Sequence, residues 1–168
     1  IGFLTKESPN TFLFGGAMGG AIPTSLGLAL ARPNDTILCV SGDGDVLMSM
    51  GSLATVATMK PKNLIIICVD NALYLETGGQ KSHTGLGVDL DVVAQGCGFP
   101  ITMTINNEDD VLKAINLVNN DFNGPFYHLN KNYLKNCKSK LNKKQKIFAM
   151  INTKEVKEAA EGLHSNFL

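Results

Sequence analysis

The sequence predicts an α/β fold, a three-layer sandwich with a central, mostly parallel sheet flanked by helices. Two observations carry this prediction. Short runs at residues 36–41 and 63–69 are apolar on both faces, as in strands at the centre of a parallel sheet. Segments with apolar residues at helical spacing separate such runs, and strands that alternate with helices are joined by right-handed crossovers into a parallel sheet.

The first half of the chain contains two predicted helices and two predicted strands. In order, they are a helix that begins at 21–24 and ends at 32, a strand at 36–41, a helix at 48–59 and a strand at 63–69. Pro33 and Pro61 close the two helices, because proline cannot continue a helix. A glycine-rich stretch at residues 15–20 precedes the first of them.

The second half begins with a long polar loop at residues 70–88, and long loops at strand ends are usually functional or mobile. The elements predicted after it are a helix at 89–96, a strand at 101–105, an amphipathic helix at 107–118, a strand at 126–129 and a last helix at 153–163. Asp89 or Asp91 is expected near the N-cap of the first of these helices.

The length of 168 residues suggests one domain with a solid core. We expect residues 1–130 to form that domain and residues 131–168 to form a basic linker and a C-terminal helix. A formal net charge of zero argues against a nucleic-acid partner. The lysine-rich residues 131–146 could form an RNA or membrane patch, but sparse aromatic residues and the lack of an apolar stripe favour a solvated tail.

No two cysteines of the sequence have C-x-x-C spacing, which argues against a zinc site. The cysteine pattern also fits a protein of the reducing cytoplasm. Cys39 and Cys68 lie in apolar runs and are expected to be buried as small hydrophobic residues. No signal peptide or membrane-spanning run is recognisable, so a cytoplasmic protein without a membrane partner is expected. Because the sequence starts at Ile1 rather than Met, we expect that a few residues precede it in the natural chain.

Polar residues follow both apolar strands, at the ends where parallel α/β sheets bind ligands. Gly42-Asp43-Gly44 follows the first strand, and Asp70-Asn71 follows the second. Mg²⁺ takes a few oxygen ligands from protein and completes its octahedral shell with phosphate and water. A carboxylate from Asp43 and an amide oxygen from Asn71 would therefore suit a magnesium ion that holds a diphosphate.

The glycines at 42 and 44 permit a tight turn and a close approach of the backbone to phosphate. A Gly-Asp-Gly triplet alone is equally compatible with an ordinary turn after a strand. The spacing favours a shared site, because Asn71 lies 28 residues after Asp43, the length of one helix plus one strand. A Rossmann-type nucleotide binder is disfavoured, because no G-x-G-x-x-G follows the first strand.

The segment GDGDVLMSMGSLATVATMKPKNLIIICVDNALY resembles the fingerprint of thiamine diphosphate enzymes, in which GDG is followed by Asn after one helix and one strand. The resemblance covers residues 1–129. Within the family it is closest to decarboxylases of the sulfopyruvate and phosphonopyruvate type, through the segments IGF, GGAMGGAIPTSLGLALARP and DNALYLETGGQKSHTGLGVDL. It implies the thiamine diphosphate-binding fold, with thiamine diphosphate and Mg²⁺ as cofactors.

The resemblance also implies further site residues. The carbonyl of Leu73 would be the third magnesium ligand, and the carbonyl of Gly16 would accept a hydrogen bond from the aminopyrimidine. Met18 would lie under the cofactor and bend its two rings, with plain core packing as the alternative. Tyr74 would pack on the cofactor or line the pocket, with core packing equally compatible. Ala17 belongs to the same cofactor-binding stretch.

Two residues depart from the family pattern. Asp45 stands where many relatives have a serine that donates to a phosphate oxygen. Its carboxylate would repel a diphosphate unless it turned away or was bound by metal or lysine. Asp70 replaces the first Asn of a common Asn-Asn pair, and we expect it to accept nearby backbone N–H groups. Neither change removes a predicted metal ligand.

The resemblance implies a β-type subunit of a thiamine diphosphate-dependent decarboxylase that acts on a small 2-oxo acid. In members of the family, a separate pyrimidine-binding domain carries a catalytic glutamate. This chain is too short to hold that second domain. We therefore expect it to be inactive alone and to share its active site with an α-type subunit, in a hetero-oligomer that also self-associates. The alternatives are half of an acetolactate synthase-like carboligase, or a non-catalytic cofactor-binding or assembly subunit.

His83 and Thr84 are the catalytic candidates, because they lie in the loop expected to face the substrate. A histidine there could protonate a carbanion or bind an anionic tail. A loop histidine without a role is an equally weighted alternative.

Overall fold

The structure is a computed structural model that describes residues 8–120 and 126–129, with side chains for residues 8–117. The helices are α1 Ala21–Ala31, α2 Asp43–Met48, α3 Gly51–Met59, α4 Leu90–Cys97 and α5 Glu108–Asn120, with a 3-10 turn at Thr84–Leu86. The strands are β1 Ile37–Gly42, β2 Leu64–Val69, β3 Leu73–Tyr74, β4 Gln80–Lys81, β5 Thr102–Ile105 and β6 Phe126–Leu129. The basic segment 131–146, the last predicted helix and the proposed 131–168 region lie outside the described residues.

Four of the strands form one parallel sheet in the order β1-β2-β6-β5. The register pairs Gly42 with Val69, so β1 and β2 end side by side. The remaining two strands, β3 and β4, form a small antiparallel hairpin. Because apolar strands alternate with helices along the chain, the crossovers place their carboxyl ends on one edge. The predicted α/β class with a parallel sheet is confirmed.

Apolar side chains pack on both faces of the sheet. On one face, Ile66 packs in a cluster with Ile22 of α1, Leu53 of α3 and Leu90 of α4. On the other face, Ile65 and Ile105 form a smaller cluster, against which the partly buried α5 residues Val111 and Ala114 pack. Successive residues of β2 point to opposite faces, so a strand that is apolar at every position can supply both clusters. This explains why the run at residues 63–69 lacks alternation.

Cys39 and Cys68 are buried in the first cluster, as predicted. Burial raises the pKa of the Cys39 thiol. Burial raises the pKa of the Cys68 thiol further, well above its usual range, and the nearby charge of Asp70 adds to this effect. Both residues are therefore neutral thiols that pack as small hydrophobic side chains.

Two details of the first and second halves differ from the sequence prediction. The helix expected at 48–59 is α3, which begins at Gly51, and a second helix that was not predicted, α2, precedes it from Asp43 to Met48. The chain breaks helical geometry between them at Ser49 (φ −127°, ψ 39°). The loop expected at 70–88 contains the β3-β4 hairpin and the 3-10 turn. Its glycines at 78 and 79 adopt positive φ, which a tight hairpin connection requires and sequence periodicity does not reveal.

No helix in the described part of the chain is both long and apolar enough to cross a membrane.

Asn63 ties the end of α1 to the start of β2. The two N–H groups of its side-chain amide are shared among the carbonyls of Ala29 at 3.0 Å, Arg32 at 2.9 Å and Asp35 at 2.8 Å. These carbonyls belong to the last turn of α1 and the connection after it, where backbone acceptors lack partners within the helix. One side chain therefore fixes the connection between the helix and the sheet.

Replacing Asn63 with alanine is expected to lower the free energy of unfolding by about 2 kcal/mol, because the two part-buried carbonyls of Ala29 and Asp35 lose their donor. Chemical denaturation measures this change. Asn34→Ala is the matched control, since Asn34 is exposed in the same connection and makes no side-chain hydrogen bond among the described residues. Equal stability of the two variants would contradict the assigned role of Asn63.

Candidate functional site

The ends of β1 and β2 bring the two predicted magnesium ligands together. Asp43 follows Gly42 directly, and Asn71 lies two residues after Val69, the register partner of Gly42. The backbone N–H of Asn71 is 3.4 Å from Oδ1 of Asp43. The arrangement anticipated from the 28-residue spacing is therefore compatible with one cation between them.

Asp43 is buried, with 1% of its surface exposed. Its Oδ2 accepts a hydrogen bond from the Ser82 hydroxyl at 2.5 Å and lies 3.2 Å from the Thr84 hydroxyl. No lysine or arginine of the described residues forms an ion pair with it. A buried carboxylate is costly without a compensating cation, so the surroundings of Asp43 suit a bound metal ion.

The turn after β2 holds Asn71 through hydrogen bonds on either side. Oδ1 of Asp70 accepts the N–H of Ala72 at 2.7 Å, and Oδ1 of Asn71 accepts the N–H of Leu73 at 2.8 Å. Ala72 adopts φ +63°, a conformation that costs a non-glycine residue about 1 kcal/mol. Its carbonyl accepts the N–H of Ser82 at 3.0 Å. The expectation that Asp70 accepts a backbone N–H is thus confirmed.

Asp45 turns toward the glycine-rich segment before α1. Its Oδ1 accepts the N–H of Gly19 at 2.5 Å, and its Oδ2 accepts a hydrogen bond from the Ser41 hydroxyl. The carboxylate is thus turned toward protein donors, which is one of the two arrangements that would keep it from repelling a diphosphate. Asp45 therefore fastens the segment that contains Met18 to the start of α2.

Met18, Gly44 and Tyr74 meet at the first turn of α2. A Cβ atom on Gly44 would lie 2.8 Å from the Tyr74 ring and 3.3 Å from the terminal methyl group of Met18. Glycine is therefore required for both side chains to reach this position. Met18 is 39% exposed, which fits a residue that faces a ligand better than one in the core.

The remaining candidates are distributed around these groups. Gly16 has φ +75°, and Gly16 and Ala17 are exposed. Leu73 is half-buried and begins β3. His83 is exposed, whereas Thr84 is 2% exposed and bonded to carboxylates. A catalytic role for His83 or Thr84 stays a prediction, and the burial of Thr84 favours a supporting role.

Ser82 was not among the sequence candidates. It is completely buried, although it lies in a polar loop. Ser82 and Thr84 are buried on either side of exposed His83, which has helical backbone angles (φ −63°, ψ −29°) and leads into the 3-10 turn. All three residues are polar, so no hydropathy pattern in the sequence distinguishes the buried residues from the exposed one.

The described residues fit Mg²⁺ with a diphosphate. Asp43 and Asn71 offer hard oxygen atoms, which magnesium prefers, and phosphate or water can complete its shell. The first turn of α2 lacks a side chain at Gly44, and this allows the Tyr74 ring and the Met18 methyl group to pack directly against its backbone. A parallel sheet with such polar groups at adjoining strand ends is typical of proteins that bind phosphorylated ligands at this edge.

Comparison with known proteins identifies the particular family. The family model described as "Thiamine pyrophosphate enzyme, C-terminal TPP binding domain" matches residues 2–127. The chain is 38% identical over 119 residues to sulfopyruvate decarboxylase subunit beta of Methanocaldococcus jannaschii, covering 71% of this chain and 63% of that subunit. It is 41% identical over 104 residues to phosphonopyruvate decarboxylase of Streptomyces hygroscopicus, covering 62% of this chain and 25% of that enzyme.

A solved structure has the same fold. The thiamine diphosphate-dependent 4-hydroxybenzoylformate decarboxylase of Rhodococcus jostii RHA1 superposes with a TM-score of 0.56 at 20% identity, over 68% of this chain and 23% of that enzyme. The chain thus spans less than two thirds of the curated relatives it matches. The chain belongs to the thiamine pyrophosphate enzyme family, as a C-terminal TPP-binding domain.

Proposed function

We propose that this chain is the β-type subunit of a thiamine diphosphate-dependent decarboxylase of small 2-oxo acids, of the sulfopyruvate or phosphonopyruvate type. One observation carries the proposal: the buried Asp43 carboxylate lies beside Asn71 at adjoining strand ends, without a lysine or arginine partner among the described residues. Mg²⁺ would bind Asp43, Asn71 and the carbonyl of Leu73, and would hold the diphosphate of the cofactor.

The other residues of the site would orient the cofactor. Met18 and Tyr74, which meet over Gly44, would contact its rings, and the carbonyl of Gly16 would accept a hydrogen bond from its aminopyrimidine. When bound, thiamine diphosphate supplies the nucleophilic carbon and stores the electron pair that decarboxylation releases. Asp45 would keep its negative charge away from the diphosphate by accepting from Gly19.

A second polypeptide would complete the active site. The relative from Methanocaldococcus jannaschii is named as a beta subunit, which supports an α-type partner for this chain as well. That partner would bind the pyrimidine and supply the glutamate that activates the cofactor. His83, exposed beside the site, would be placed to meet the anionic tail of the substrate or to protonate the product.

Reconstitution tests this function. We expect Mg²⁺ and thiamine diphosphate together, at about 100 times the Kd, to stabilise the chain by about 2.7 kcal/mol. The chain alone should release no CO₂ from sulfopyruvate or phosphonopyruvate, and addition of an α-type subunit should start the reaction. Turnover by the isolated chain would overturn the split site. Condensed products instead of aldehyde would identify a carboligase, and binding without any turnover would identify an assembly subunit.

A further inference from the structure

We propose that Ser82 and Thr84 are positioning residues, which fix the orientation of Asp43 for Mg²⁺ and couple it to the turn that carries Asn71. This inference rests on the proposed function and names residues of this chain that would support its metal site. Ser82 is 0% exposed and Thr84 is 2% exposed, so their hydroxyl groups act on other protein groups rather than on a substrate.

Both hydroxyl groups lie on one oxygen of the Asp43 carboxylate. The Ser82 hydroxyl is 2.5 Å from Oδ2 and the Thr84 hydroxyl is 3.2 Å from the same atom. Oδ1 lies on the side of Asn71, whose N–H is 3.4 Å away. Each carboxylate oxygen has two lone-pair sites, so Oδ1 can accept the N–H of Asn71 and still bind a cation, while the two hydroxyl groups fix the plane of the carboxylate. Removing a group that hydrogen-bonds to a metal ligand typically lowers metal affinity about 10-fold to 100-fold.

Thr84 also connects Asp43 to the neighbouring strand end. Its Oγ1 is 2.8 Å from Oδ1 of Asp70 and 3.2 Å from Oδ2 of Asp43. A hydroxyl group has one proton, so it donates fully to one of the two carboxylates at a time. A cation at Asp43 would neutralise that carboxylate and leave the Thr84 proton to Asp70, which also holds the N–H of Ala72. Metal binding would thereby make the turn that contains Asn71 more rigid.

The backbone keeps these hydroxyl groups in place. The N–H of Ser82 donates to the carbonyl of Ala72 at 3.0 Å, and Thr84 opens a 3-10 turn that ends at Leu86. The two hydroxyl groups are 2.9 Å apart, so each also restrains the other. Because the loop is bonded to the turn at both backbone and side-chain level, the orientation of Asp43 is set before any ligand arrives.

Magnesium titrations at fixed, saturating thiamine diphosphate test the proposal, with thermal unfolding of the full chain as the readout. Ser82→Ala and Thr84→Val should raise the Mg²⁺ concentration at half-maximal stabilisation about 10-fold or more. Thr84→Ser keeps the hydroxyl group and should stay close to the wild-type value. Thr77→Val is the matched control, because Thr77 is exposed in the same loop and its hydroxyl contacts only Gln80 among the described residues.

The outcomes separate this inference from the proposed function. An unchanged Mg²⁺ midpoint in Ser82→Ala and Thr84→Val, even with a lower melting temperature without ligand, would overturn the positioning role and leave the proposed function standing. A wild-type chain without any Mg²⁺-dependent stabilisation would overturn both. Should Thr84→Val fail to fold, Ser82→Ala and Thr84→Ser decide the matter.

Discussion

Replacing Asp43 with asparagine is expected to abolish stabilisation by Mg²⁺ and thiamine diphosphate while leaving the ligand-free chain at least as stable as before. The side chain sits in the interior with 1% exposure and forms no ion pair with lysine or arginine of the described residues. Hydrogen bonds from Ser82 and Thr84 offset part of the desolvation cost of its negative charge, and a bound cation would offset the rest. Asparagine has the same shape and removes that charge.

The expected result follows from the contacts that asparagine keeps and loses. Its amide oxygen can still accept from Ser82 and Thr84, so the hydrogen bonds to the loop survive, whereas its NH2 group takes the place of Oδ1 and loses the long 3.4 Å hydrogen bond from the N–H of Asn71. We expect the free energy of unfolding without ligand to rise by about 1 kcal/mol. The roughly 2.7 kcal/mol gained at a saturating cofactor concentration should disappear, because a neutral amide is a much poorer ligand for Mg²⁺ than a carboxylate.

Denaturation with and without Mg²⁺ and thiamine diphosphate measures both effects in one series. Asp89→Asn is the matched control, since Asp89 is exposed at the start of α4 and its side chain caps no backbone group there. That variant should respond to the ligands as the wild type does. If the Asp43→Asn variant still gained stability from the ligands, the assignment of Asp43 as a magnesium ligand would be wrong. Such a gain would also count against the positioning roles of Ser82 and Thr84.

Replacing Gly85 with alanine should be the most destabilising single-methyl change in this region, with a loss of about 3 kcal/mol of folding free energy. A Cβ atom at this position would lie 2.9 Å from the carbonyl oxygen of Ala72, which already accepts the N–H of Ser82. It would also lie 3.4 Å from Cβ of Ala72 and 3.5 Å from Cβ of Lys81. The obstructing atom belongs to the backbone, so no side-chain rotation relieves the contact.

The added methyl group would push the 3-10 turn away from the turn after β2. We therefore expect weaker cofactor binding as well as lower stability, which chemical denaturation and a cofactor titration measure separately. Gly27→Ala is the control, because a Cβ there meets no atom within 4 Å and Gly27 lies inside α1. That variant should gain about 0.5–1 kcal/mol, since alanine favours a helix. Equal stability of the two variants would show that the loop does not pack as described.

The sequence was sufficient for the sheet and for the positions of its polar ends. Two strands that are apolar on both faces indicate a buried parallel sheet, and the residues after such strands must share an edge. Asp43 and Asn71 could therefore be paired before their 3.4 Å contact was known. The resemblance added Met18, Leu73 and Tyr74, which regular spacing alone does not single out.

The side-chain contacts of the long loop at residues 70–88 could not be predicted from the sequence. Ser82 and Thr84 reach Asp43 only because a hairpin folds the loop back over the strand ends, and the register of that hairpin depends on tertiary packing. The direction of Asp45 was left open for the same reason, because its partner Gly19 comes from another segment. The division between α2 and α3 depends on local backbone angles at Ser49, which residue periodicity does not encode.

The two carboxylates of α2 draw in distant stretches of chain from opposite directions, with consequences for how the protein folds. Asp45 reaches back 26 residues to Gly19, and Asp43 reaches forward 39 residues to Ser82. Contacts of such separation carry a large loop-closure entropy and form late during folding. No local fragment can assemble this arrangement by itself. Cofactor affinity should consequently appear only in the final cooperative step, and a partly folded chain emerging from the ribosome should be unable to capture thiamine diphosphate.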